Sequence, residues 1–146
     1  MEKTVAPGID GVRSRRADLR AILIDLEDAI AAAASGRETA WTEQVRVQLE
    51  RLGPAFADHV AATEGPDGLF DQVRRRSPRL DSHCAGLAAE HGTIATQLAA
   101  VRSALDSDAE RVRSAVVDLL GKLVRHRQRG ADLVYEAYAV DIGGSE

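Results

Sequence analysis

A chain of 146 residues fits one domain and is long enough to bury a core. The net charge of −4, with both signs interspersed, argues against a nucleic-acid or membrane-surface partner, and the 3% aromatic content leaves the core to Leu, Val, Ile and Ala. A single cysteine, Cys84, excludes an intramolecular disulfide and a Cys-rich zinc site, and fits a reducing, cytoplasmic setting.

Residues 1–10 read as a flexible arm, with Pro7, Gly8 and no periodicity. A first helix is expected over 11–34, stopped by Gly36. A second is expected over 38–64, capped by Ser35 or Thr39, bent at Gly53-Pro54 and ended by Gly65-Pro66. The run "DGLFDQVRRR" adds a further turn or two. "SPRL" opens a third helix, with Ser77 as cap and Pro78 at the first helical position, running to 105. "DSD" at 106–108 is a turn and a cap for a fourth helix over 109–139, and 141–146 are a flexible tail. The basic clusters at 13–16 and 74–76 are short and read as solvated faces or helix ends. No apolar run approaches the ~18–20 residues of a membrane span, and no signal core opens the chain.

The apolar positions recur in alternating steps of four and three. The third helix carries Leu80, Cys84, Leu87, His91, Ile94, Leu98, Val101 and Leu105. The fourth carries Val112, Val116, Leu119, Leu123, His126, Gly130, Leu133 and Ala137. Val12, Arg16, Leu19, Leu23, Leu26, Ile30 and Ala33 follow the same rule in the first, and Leu52, Phe56, His59 and Thr63 in the second. Such seams pack as an all-α, up-down-up-down antiparallel four-helix bundle.

Each seam is interrupted by one polar residue: Arg16, His59, His91 and His126. Counted from the connecting turns, their heights differ by only ~5 Å at the rise of an α-helix. The three histidines therefore converge on one level of the core, with Arg16 reaching in from the first helix. Burying several imidazoles is costly unless each finds a partner, so a shared polar site is expected. His83 lies off the seam and is expected on the surface. Cys84 lies on it and is expected as a small apolar filler.

These segments, "LEDAI", "HVAATEGPDGLF", "SPRL…LAAEH" and "LVRHRQRGADLVYEAY", resemble those of a divergent hemerythrin-like (HHE cation-binding) domain, over residues 12–140. The resemblance implies a bundle whose core holds metal. It places His59, His91 and His126 at ligand positions of the second, third and fourth helices. It also shows departures. The carboxylate expected four residues after His59 is Thr63, the positions four and five after His126 are Gly130 and Ala131, and the histidine expected on the first helix is Arg16. Glu64 follows His59 by five residues, about 140° around an ideal helix, and is poorly placed unless the turn distorts. Without bridging carboxylates an intact diiron centre would leave four or more positive charges in a dry core.

Two readings of the site stand. In one, His59, His91 and His126 hold a single Zn²⁺ or Fe²⁺ with an open fourth position. In the other, Arg16 pairs with Glu64 or Glu90 and the pocket holds water or a small anion. Arg16, Thr63, Glu64 and Gly130 are the candidate small-ligand residues, Gly130 leaving space where a side chain would sit. The expected function is small-ligand or metal binding and sensing; the alternative is a metal-dependent enzyme or an oxygen, NO or redox-stress protein using the three histidines. Leu133, Val134, Tyr135 and Tyr138 offer more apolar surface than one seam needs, sealing the bundle end or forming a homodimer contact.

Overall fold

The four-three spacing closes as expected: four long helices pack against one another in a ring, and no strand occurs among the described residues. The computed structural model describes the backbone of residues 9–140 and the side chains of residues 17–139. The helices are α1 (Ile9–Ala31), α2 (Glu38–Glu64), α3 (Leu69–Arg76), α4 (Asp81–Ser103) and α5 (Ala109–Tyr135). A 3₁₀ turn over Pro78–Leu80 leads into α4, and a π turn over Glu136–Val140 follows α5. α1 starts inside the expected arm, whose remaining residues, like the expected tail, lie outside the described residues.

The ring order is α1, α2, α4, α5, and α1 again. Short connections at 32–37 and 104–108 make α1 and α2, and α4 and α5, antiparallel neighbours. Asp108 caps α5 as its position in "DSD" implies, accepting from Arg111 N–H at 3.0 Å. The expected caps on α2 are replaced. Arg37 stands at its N-cap without a side-chain capping bond, its guanidinium donating back to Ala33 O at 2.9 Å, and the Glu38 carboxylate accepts from Gly36 N–H at 3.2 Å. α1 ends at Ala31, short of the expected stop at Gly36, and Gly36 takes φ +77° in the left-handed turn that leads into α2. α2 runs unbroken through Pro54.

"DGLFDQVRRR" forms its own helix, α3, rather than a continuation of α2. Gly65 N–H bonds Ala61 O at 3.0 Å, and Gly68 N–H bonds Gly65 O at 2.8 Å, so the chain doubles back within four residues. A Cβ on Gly68 would stand 2.7 Å from Ala62 O, which explains glycine there. Leu69, Phe70 and Val73 are all buried, and they turn α3 onto the end of the bundle.

The apolar interior is divided in two. The larger cluster fills the body of the bundle and includes Leu26, Trp41, Val45, Leu49, Phe56, Ile94, Leu119 and Leu123. The smaller joins α3 to the start of α4 and the end of α5 through Leu69, Phe70, Val73, Leu80, Cys84, Leu87, Leu133 and Ala137. Arg113 closes the far end of the larger cluster. It donates to the carbonyls of Ile30 (2.9 Å) and Ala32 (3.0 Å) at the end of α1 and lies over the Trp41 ring at 5.2 Å.

Leu49 is fully buried, whereas Ile24 is 45% exposed. Leu49→Ala is expected to lose roughly 2–5 kcal/mol in urea unfolding, and Ile24→Ala to stay within about 0.5 kcal/mol of the wild type.

Candidate metal centre

Between the two apolar clusters lies a polar layer. His59 follows Phe56 on α2, His91 sits between Leu87 and Ile94 on α4, and His126 sits between Leu123 and Leu133 on α5. All three are buried, with 8%, 3% and 4% of their surface exposed. Their ring centroids are 5.1 Å (His59–His91), 5.4 Å (His59–His126) and 4.7 Å (His91–His126) apart. One ring nitrogen of each lies within 4.8 Å of one from each of the others. Phe56 stacks on His59 and Phe70 on His91, each at 6.0 Å, so hydrocarbon flanks the imidazoles.

Two carboxylates reach the layer from its rim. Glu64 bonds His91 Nδ1, and Glu90 bonds His126 Nδ1 at 2.8 Å. The other oxygen of Glu90 pairs with Arg129. With a carboxylate as the acceptor at Nδ1, the tautomer of His91 and of His126 that fits these bonds donates from Nδ1 and leaves Nε2 as the lone-pair nitrogen. His126 Nε2 stands 3.3 Å from His59 Nε2. His91 Nε2 is buried with no hydrogen-bond partner. An orphaned buried nitrogen is costly, and a cation among these three rings would satisfy it. The spacing suits one: bonds of 2.0–2.1 Å in tetrahedral geometry hold two imidazole nitrogens about 3.3–3.4 Å apart.

Thr63 and Gly130 lie on the other side of the rings. The Thr63 hydroxyl is shared between the carbonyls of His59 (3.0 Å) and Val60 (3.1 Å), so it serves the α2 backbone and not the ring nitrogens. Thr63, Gly130, His59, His126, Leu69 and Phe70 border a cavity of about 20 Å³, the room of a single water.

Glu64 is the residue whose expected placement changes. Five residues after His59 it does turn away from that ring. But α2 ends at Glu64, and the turn brings its carboxylate to the outer edge of His91 on α4. Arg16 is the fourth corner in the sequence; its side chain lies outside the described residues. The described partner of Glu64 is His91, and those of Glu90 are His126 and Arg129. The expected partner of Glu90 is Arg16, and Arg129 stands in neither expected reading of the site. Glu90 flanks the seam beside His91, and Arg129 is three residues after His126. The same count of levels, applied to positions beside the seam, would have found Arg129.

His83 is exposed, as expected of an off-seam position. Cys84 is fully buried, with its thiol toward Phe70 O at 4.0 Å. Burial pushes its pKa up, so it stays a protonated filler. The two tyrosines part company. Tyr138 packs against the smaller cluster with the Arg76 guanidinium 4.8 Å over its ring, sealing the bundle end, while Tyr135 is 63% exposed.

No protein-family model, curated protein or solved structure matches this chain.

Burial holds the His126 pKa below its ordinary value of 6.5; the Glu90 hydrogen bond opposes the shift, and His91 and Arg129 reinforce it. The folded state therefore keeps His126 neutral where the unfolded chain takes up a proton. That proton uptake draws the equilibrium toward the unfolded state. The metal-free protein is expected to lose stability as pH falls through about 6.5 toward the depressed value. Urea unfolding at pH 7.5, 6.5 and 5.5 checks this, and His126→Phe should flatten the slope.

Proposed function

We propose that this chain is a hemerythrin-like bundle rebuilt around one metal ion, held by His59, His91 and His126, and that it works as a metal or small-ligand binding and sensing protein. The observation that carries this reading is the inward set of imidazole nitrogens, two of them backed on the outer nitrogen by a carboxylate. Carboxylate–histidine pairs of this kind orient a metal ligand and raise its basicity. Three neutral imidazoles suit Zn²⁺ or Fe²⁺. A bound ion there would supply Lewis acidity and an exchangeable coordination position. The residues supply the rest: Glu64 and Glu90 hold the two rings and balance the charge, and Phe56 and Phe70 exclude water.

A pair of irons is a poorer fit to this donor set. Two metal ions need bridging carboxylates to offset their charge in a dry core. Here Glu64 and Glu90 stand on the outer nitrogens, and the positions facing the cavity are Thr63 and Gly130. The cavity beside His59 and His126 limits an exchangeable ligand to one about the size of water. That confinement favours binding a very small molecule over turnover of a larger substrate. The same geometry would serve a metal-dependent enzyme acting on such a molecule, and multiple turnover by the loaded protein would favour that reading instead.

Protein expressed with iron and zinc is expected to hold one metal ion per chain by elemental analysis, and His91→Ala to abolish it. Glu64→Ala and Glu90→Ala should each weaken metal affinity about 10–100-fold in chelator competition. Two irons per chain with an oxo-bridge absorption band would sink the single-ion reading.

A further inference from the structure

α5 carries two seams of the same four-three spacing. One faces the core. The other, formed by Val117, Gly121, Val124, Gln128, Ala131 and Tyr135, faces solvent and holds no charge. Among the described residues five large hydrophobic side chains are exposed, and three of them lie on this line: Val117 (52%), Val124 (45%) and Tyr135 (63%). Isolated exposed hydrophobics are ordinary. An uncharged line that keeps a heptad spacing over about 27 Å of helix is the pattern of a helix that packs on another helix.

We propose that this face pairs with the same face of a second copy of the chain, with the two α5 helices antiparallel. Charge on the flank selects that occupant. Asp118, Arg125 and Asp132 run along one side of the seam at seven-residue intervals, with alternating sign. An antiparallel pair centred between residues 128 and 129 sets Arg125 of each copy against Asp132 of the other, giving two reciprocal ion pairs. The same register sets Tyr135 nearly opposite Gly121, the largest side chain of the seam over the smallest. A parallel pair would oppose tyrosine to tyrosine and glycine to glycine, leaving a clash and a hole. A two-fold axis demands such self-complementarity.

Within one chain these groups are folded back on their own helix. The Arg125 guanidinium covers Gly121, 3.3 Å from where a Cβ would sit, and the Gln128 amide donates to Asp132 at 2.9 Å. Pairing transfers both charges across the interface and uncovers Gly121. One helix per copy is a short contact, at the low end of interface sizes, so the dimer is weak and depends on concentration.

Sedimentation equilibrium across the micromolar range tests the pairing. The wild type is expected to pass from monomer to dimer. Arg125→Asp and Asp132→Arg should each stay monomeric, because each sets like charges together. Mixed one to one, the two variants should dimerise, because each supplies the charge the other lacks. Val124→Glu should be monomeric alone and in any mixture, with circular dichroism confirming that each variant is folded. A wild type that stays monomeric throughout would overturn the proposal, as would single charge variants that still dimerise, or a mixture that does not dimerise while the wild type does.

Discussion

Imidazole buried in hydrocarbon is stable only when both of its ring nitrogens are accounted for. This bundle buries three. The hydrogen bonds from His91 to Glu64 and from His126 to Glu90 answer that demand for one nitrogen of each ring, from the rim of the core, and much of the local architecture follows from them. α2 must end where Glu64 can turn outward and across. α4 must present Glu90 toward α5. Arg129 must stand outside Glu90 so that the carboxylate is held in place by its second oxygen. None of these residues lies on a core seam. They flank the seams, where a side chain spans wet and dry at once.

The same bonds decide which way the rings face. Had the carboxylates stood inside the layer, the inward atoms would be oxygens, and the donor set would suit a harder or doubly charged centre. With them outside, the layer brings one ring nitrogen of each histidine within 4.8 Å of the others. The chemistry thus depends less on the number of acidic residues near the histidines than on which nitrogen each one holds. Glu64 and Glu90 would look similar in a list of neighbours whichever side they occupied; the geometry separates the cases.

Much of the bundle can be read from spacing alone. The seams of α4 and α5 were fixed by alternating steps of four and three, and every residue from Leu80 to Leu105 on that seam is buried. The common height of the histidines also follows from counting, since helical rise is uniform. Counting fails at helix ends. The 100° step of an ideal helix turns Glu64 away from His59, but Glu64 is the last helical residue, and its reach is set by the turn at 65–68. The run "DGLFDQVRRR", expected to add only a further turn or two, is a separate helix, because the chain doubles back at 65–68, where Gly68 approaches the Ala62 carbonyl too closely for a side chain. The bond between Glu90 and His126 is not legible in a seam count, because the two stand on different helices, 36 residues apart, and such a count registers only positions that face the core.

The polar layer also divides the interior mechanically. Above it the bundle body is held by interlocked aliphatic side chains of four helices. Below it α3 and the ends of α4 and α5 form a small cap, joined to the body through the imidazoles and the rings of Phe56 and Phe70. Cooperative unfolding propagates through packed contacts, and the polar layer interrupts apolar packing between the two clusters. Filling that layer would weld them. Occupancy of a site a few ångströms across would then be felt along the whole length of the molecule, as a change in how readily the cap lifts from the body beneath it.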